Sequence, residues 1–315
     1  MFRIKILLIL LNLTVFVLLT PGYALNIVYS EKNEISVLNL ESKEVETIVL
    51  KEFERIEKPV CSKNFIIFMV DKNLYIYDRK AKQISQIKGI IPPVADANLS
   101  LSPEGVFLAY EGDLKEYLKI YPNEELEKKR IKSVIAIYVI EKEKTDLDRI
   151  SQWIMFMPYV FKGKQIDIVK SPVWVQDNDN EYLWLCYLEG KDGRILTKIR
   201  AFKKEREEYI FEGKYIEHYP LYKDYGFSLP VKKIDKLIGD ENLIFISKSQ
   251  FYLLKGNTFD KIADDKIAEG RGDLHANELF YIDEEGKLYK KDLNTNQVQF
   301  EIQLPIQLQY FSIER

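Results

Sequence analysis

The chain has 315 residues, with 46 Lys plus Arg against 49 Asp plus Glu and a formal net charge of -3. An apolar fraction of 46% with 30% charged residues excludes a disordered chain, a polytopic membrane protein and a disulfide-dense miniprotein. With no net positive field to collect phosphates, nucleic acid is not expected as a partner. The length suits two average domains or one large fold, and 13% aromatic residues lean toward β structure.

At the start of the chain, Arg3 and Lys5 precede an apolar run from Ile6 to Leu19, which Pro21 and Gly22 break. Gly22 and Ala24 put small residues three and one before a cleavage point after Ala24. This is the layout of a secretory signal peptide. The run is shorter than the ~20 apolar residues of a spanning helix, and Asn12 and Thr14 dilute it further. The expected product is an exported protein, periplasmic or secreted, of 291 residues and net charge -5, with a retained anchor as the alternative. No Cys follows the cut to accept a lipid.

Cys61 and Cys186 are the only cysteines. An oxidising compartment allows one bridge between them, but the apolar setting of Cys186 in "EYLWLCYLEG" favours a small core residue. Two Cys and two His, scattered along the chain, do not form a structural zinc site.

Three segments align without gaps over eleven positions: "ISVLNLESKEV" from Ile35, "LYIYDRKAKQI" from Leu74 and "LYKKDLNTNQV" from Leu288. Each begins on an aliphatic residue, carries Asn39, Asp78 or Asp292 four positions on, and ends on Val45, Ile84 or Val298. The pattern predicts a hairpin whose Asn or Asp bonds the turn backbone. "IAIYVIEKEKTDL" from Ile135 and "FYLLKGNTFDKI" from Phe251 are looser copies. A further strand precedes each unit: "NIVYS", "NFIIFMV", "GVFLAYEG", "EYLWLCYLEG", "ENLIFIS" and "NELFYID", starting at Asn26, Asn64, Gly105, Glu181, Glu241 and Asn277. Short strands recurring at about 40 residues are the mark of four-stranded propeller blades.

"LSLSPEGVFLAYEG", Leu99 to Gly112, resembles the blade motif of TolB-type (WD-repeat-like) β-propellers, with Ser102, Pro103, Glu104 and Gly105 at its tight turn. "SPVWVQDNDNEYLWLCY" from Ser171 is a degenerate second copy that keeps Pro172 and Trp174. The resemblance implies an extracytoplasmic, all-β propeller. It covers the propeller only, without the α/β domain that precedes it in TolB. Six blades fit the mature chain best and seven are the alternative, because the 76-residue interval between Gly105 and Glu181 has room for a degenerate blade. "PNEELEKKRIK" within that interval predicts a helix, with Asn123 as its cap and Glu124/Lys128 and Glu125/Lys129 as i,i+4 pairs. The tail "IQLPIQLQYFSI" is expected to complete the blade that the mature N-terminus begins.

The sequence assigns no catalytic residue. His218 and His275 are the only imidazoles, and no nucleophile elbow, H-E-x-x-H or phosphate loop accompanies them. No cofactor or metal is expected: Asp177, Asp179 and Glu181 lack the Gly and distal Glu of a calcium loop. "RGD" at Arg271 to Asp273 reads as a coincidence on a turn. The segment Lys203 to Lys236 is an insertion rich in Tyr among charges, suited to a binding face on a rigid scaffold. Tyr215, His218, Tyr219, Tyr222 and Tyr225 are its candidate partner-binding residues. "QWIMFMPYVF", Gln152 to Phe161, reads as a buried strand. The expected function is a non-catalytic protein-binding or scaffolding module. The alternative is a propeller hydrolase or lyase using carboxylates at the central channel.

Overall fold

The computed structural model describes residues 25–120, 122, 133–140, 152–155, 166–177, 180–191, 194–203, 205–211, 214–218, 221–225, 234–240, 242–247, 250–255, 258–263, 267–305, 308 and 310–314. They form six four-stranded antiparallel sheets, the blades of a β-propeller. Blade 1 contains β1 (Asn26–Glu31), β2 (Glu34–Asn39) and β3 (Val45–Val49). Blade 2 is β4 (Glu57–Cys61), β5 (Phe65–Val70), β6 (Asn73–Asp78) and β7 (Gln83–Gln86). Blade 3 is β8 (Leu99–Leu101), β9 (Phe107–Asp113), β10 (Ser133–Val139) and β11 (Gln152–Met155), with helix α1 (Leu114–Ile120) after β9.

Blade 4 is β12 (Ile166–Asp177), β13 (Asn180–Lys191), β14 (Arg194–Lys203) and β17 (Leu221–Tyr225). A separate hairpin, β15 (Glu205–Phe211) and β16 (Lys214–His218), lies between its third and fourth strands. Blade 5 is β18 (Lys236–Gly239), β19 (Leu243–Ser247), β20 (Gln250–Lys255) and β21 (Thr258–Ala263). Blade 6 is β22 (Ile267–His275), β23 (Glu278–Asp283), β24 (Lys287–Asp292) and β25 (Val298–Gln303). The tail strand β26 (Phe311–Ile313) pairs with β1 and is the inner strand of blade 1, so both ends of the chain build one blade. Inner strands β26, β4, β8, β12, β18 and β22 each contact the next, closing the ring.

All six strands singled out by sequence are the second strands of their blades. They read as continuous apolar runs because a neighbouring blade covers each face: β5 and β19 are buried almost throughout. The outermost strands β3, β7 and β25 are largely exposed, which leaves Val45, Val49, Val298 and Phe300 at the rim. The core is therefore six wedges, each shared by two adjacent blades. Between blades 3 and 4, for example, Phe107, Ile135 and Ile137 pack with Trp174, Leu183 and Phe202.

The three repeated hairpins share one turn. Asn39 Oδ1 accepts the amides of Glu41 and Ser42, both at 2.9 Å. Asp78 Oδ1 accepts those of Lys80 and Ala81 at 2.8 and 2.7 Å, and Asp292 Oδ1 those of Asn294 and Thr295 at 2.8 Å. Four residues after the Asn or Asp, Lys43, Lys82 and Asn296 adopt left-handed φ of 59°, 54° and 60°. These amide bonds hold the Asp292 carboxyl below its ordinary value.

The structure bears on several further sequence expectations, and it bears out the core reading of the cysteines. Cys61 and Cys186 are both free and buried, on the inner strand of blade 2 and the second strand of blade 4. Burial pushes both thiols up, that of Cys186 to about 12. The described helix α1 lies at 114–120, capped by Asp113, whose Oδ1 accepts the Glu116 amide at 3.2 Å. The helix expected at 122–132 lies outside the described residues apart from Pro122. Residues 152–155 form a strand, but in the outermost position of blade 3; 156–161 and the side-chain burial of β11 lie outside the description. The 76-residue interval holds β10 and β11, which finish blade 3, and β12, which opens blade 4.

The Ser-Pro-Glu-Gly turn joins β8 to β9. The Gly105 amide donates to Ser102 O at 2.8 Å, and the Phe107 amide to Ser102 Oγ at 3.1 Å. Gly105 has φ +69°, and a Cβ there would lie 2.8 Å from Ser62 Cβ on blade 2. Gly89 has φ +73° with nothing within 4 Å of that position. Gly89→Ala should cost about 1 kcal/mol, the left-handed penalty alone. Gly105→Ala should cost about 2–4 kcal/mol, because overpacking adds to it. Urea denaturation of the two variants measures the difference, and equal costs would contradict the contact.

Candidate functional site at the axial mouth

In every blade the inner strand precedes or, for β26, pairs antiparallel to the second strand, so all six inner strands begin on the same face of the disc. That face is the axial mouth. Lys58, Asn98, Asp235, Lys236 and Tyr310, at or just before those beginnings, and Asp273, further along β22, surround a cavity of about 160 Å³ that every inner strand helps to line. Further along the same strands, Cys61, Leu101, Ile238 and Ile313 are buried and apolar. The site is a cup, polar at its entrance and apolar further along the axis.

An inner strand has one edge with no strand beside it, and its amides need other acceptors. Side chains from neighbouring blades supply them. Between blades 3 and 4, the Ser171 amide donates to Glu111 Oε1, and the Trp174 amide donates to Ser100 Oγ at 3.2 Å. From blade 5, the Leu237 amide donates to Ser171 Oγ at 2.6 Å. Lys236 Nζ reaches Gly272 O on blade 6 at 3.2 Å, and the Ile313 amide of blade 1 donates to Asp273 Oδ2 at 2.8 Å. Ser312 Oγ donates to Pro59 O on blade 2 at 2.8 Å. Lys58 and Glu111 attract one another across blades 2 and 3, completing the circle by charge.

Two inner strands carry matching bulges. In "EKPV" and "KSPV", the residue before the proline, Lys58 or Ser171, has φ of 51° or 52°, and the ladder shifts by one residue there. A bulge turns a side chain out of the pleat. At Ser171 that side chain ties blade 4 to blade 5. At Lys58 the same geometry sends an ammonium to the mouth, 5.3 Å from the centre of the Tyr310 ring. No carboxylate lies within 4.0 Å of it among the described residues. Burial lowers the Lys58 pKa, opposed by Glu111 and Asp96. Burial raises that of Tyr310 and lowers that of Arg271.

Glu111 stands behind the wall. It is 5% exposed, and Oε1 takes both the Ser171 amide and Asn98 Nδ2, the latter at 3.1 Å. Burial raises its pKa in spite of these bonds and of Lys58 and Lys170. Asp273 has both oxygens engaged, by the Leu274 and Ile313 amides at 2.9 and 2.8 Å. The acids around the axis thus serve the scaffold.

The sequence-selected residues lie elsewhere. Tyr215 and His218 are on β16, opposite Ile210 and Glu205, and Tyr222 and Tyr225 are on β17, where Tyr225 faces Ile199 in register. Tyr219 lies outside the described residues. The hairpin leaves blade 4 between its third and fourth strands, a connection on the face opposite the mouth. Asp177 ends β12, Glu181 is on β13 and Asp179 lies outside the description. His275 closes β22 with Nδ1 3.4 Å from Asp240 Oδ2. Arg271 to Asp273 sits on an inner strand and not on a turn, and a Cβ at Gly272 would meet the Phe251 ring at 2.5 Å. Sequence reasoning missed the mouth, whose one legible signal was the recurrence of "KPV" and "SPV" at Lys58 and Ser171.

No protein-family model matches the chain, and no curated protein matches it. Among solved structures it is similar to the crystal structure of the tricorn protease, with a TM-score of 0.50 and 11% identity. The match covers 88% of this chain and 29% of that one, so the chain spans under a third of its neighbour, and the likeness is one of fold.

The raised pKa of Glu111 gives a pH test. The folded state holds this proton more tightly than the unfolded chain, whose glutamate titrates near the ordinary 4.5. Its stabilising effect is full below that value and is lost as pH rises through the folded pKa. Glu111→Gln should therefore flatten stability against pH above 4.5, read by denaturation at a series of pH values. An unchanged slope would contradict the assignment.

Proposed function

We propose that the protein is an exported, non-catalytic β-propeller that binds a partner protein at its axial mouth. The observation that carries this is the convergence of Lys58, Lys236 and Tyr310 on an axial cup where Glu111 Oε1 and both oxygens of Asp273 are tied to backbone amides. Carboxylate catalysis needs two acids held open to substrate in contrasting environments, and Asp273, with both oxygens on backbone amides, is not held open. The resemblance of Leu99 to Gly112 to TolB-type blades and the layout of residues 1–24 support an extracytoplasmic role. The segment bearing Tyr215, His218, Tyr219, Tyr222 and Tyr225 is proposed as a second contact surface. No helix among the described residues is long and apolar enough to cross a membrane.

Two measurements test this reading. A photoreactive amino acid at exposed Asp96, beside the mouth, should cross-link the native protein to one discrete partner in its own compartment. The same residue at Tyr215, on the proposed second surface, should capture that partner more weakly. Absence of any adduct from Asp96 would overturn the mouth as the binding face. N-terminal sequencing of the mature protein should begin at Leu25, and an intact Met1 would contradict cleavage.

A further inference from the structure

The axial cup opens beside a second cavity. A groove of about 420 Å³ is lined by Ser30, Glu31, Lys32, Glu54, Arg55 and Arg271, with Tyr310 common to both. The two hollows present five cations: Lys58 and Lys236 in the cup, and Lys32, Arg55 and Arg271 in the groove. Four carboxylates share the lining, but Asp273 has both oxygens on backbone amides. Arg55 bonds Glu57 at 3.0 Å, whereas no carboxylate stands within 4.0 Å of Lys58 or Arg271 among the described residues.

We infer that the cup and the groove together receive one extended acidic peptide segment of the partner, with a carboxylate side chain entering the cup beside Lys58 and Lys236. An extended chain advances about 3.3 Å per residue and presents alternate side chains to one side. The following carboxylates then pass Tyr310 and meet Arg271 and Arg55 in the groove. The Tyr310 ring, already under the Lys58 ammonium, forms the ridge over which the segment bends. The cup is too small for a drug-sized ligand, for which several hundred Å³ are usual, but it suits a single carboxylate. The inference rests on the mouth as the binding face.

The test uses the mature protein and a fluorescein-labelled hexaglutamate peptide, followed by anisotropy at low and at physiological salt. Binding is expected at low salt, weakening as screening rises, and a hexaglutamine peptide should not bind. Lys58→Gln and Arg271→Gln should each weaken hexaglutamate binding by about tenfold or more, as loss of a desolvated charge partner does. Lys80→Gln, at an exposed turn on the opposite face, should leave it unchanged. Thermal melts check folding, and Arg271→Gln decides should Lys58→Gln not fold. Equal losses in all three variants, equal binding of hexaglutamine, or no binding would each overturn the inference. Failure here with a surviving Asp96 adduct rejects the acidic ligand alone, whereas loss of both rejects the mouth itself.

Discussion

Six strands that meet around an axis leave six edges facing one another with no further strand to cover them, and the amides on those edges must find acceptors or forfeit the fold. Here the acceptors are side chains sent from one blade to the next: Glu111 to Ser171, Ser171 to Leu237, Asp273 to Ile313. Each such bond contributes about 0.5–1.5 kcal/mol net, more where a charge is involved. Their larger effect is geometric. They fix the spacing of the inner strands, and with it the width of the cup. They also occupy Glu111 Oε1 and both oxygens of Asp273, while cations stand at the mouth.

The same belt explains why a serine and a lysine occupy equivalent bulges. Ser171 is short and closes a bond to the next blade, so its strained backbone serves the ring. Lys58 has the same backbone strain without such a bond, its attraction to Glu111 acting at longer range, and strain kept without a structural bond is the pattern of a functional position. Ring closure at the other face is equally specific. Glu314 accepts from Asn26 Nδ2 at 2.7 Å and from Arg79 at 2.9 Å, fastening the tail strand to blades 1 and 2. A short strand such as β26 could not hold that place by its ladder with β1 alone.

Blade architecture was legible because it repeats. A buried second strand is apolar at every position, and the Asn39, Asp78 and Asp292 turns recur with the same spacing, so six copies reinforce one signal. The Gly105 turn was legible through its Pro and Gly. The mouth was not, because each blade gives it a few residues and no common motif marks them from blade to blade. Lys58, Glu111, Lys236 and Arg271 are scattered along the sequence among many other charges, and only ring closure brings them to one place. Arg271 to Asp273 illustrates the loss: its Gly-flanked polarity suggests a turn, yet the close approach of Phe251 is what requires the glycine. The Tyr-rich insertion was visible for the opposite reason, since local composition marks it without any fold.

The account turns on the claim that side chains, in place of a further strand, satisfy the inner edges. Amide hydrogen exchange measures this directly at Ser171, Leu237 and Ile313, each of which donates to a side chain of a neighbouring blade. Protection comparable to the central amides of β5 and β9 is the result expected of a closed belt. Exchange at the rate of an uncovered edge strand would contradict it, and with it the fixed geometry of the mouth.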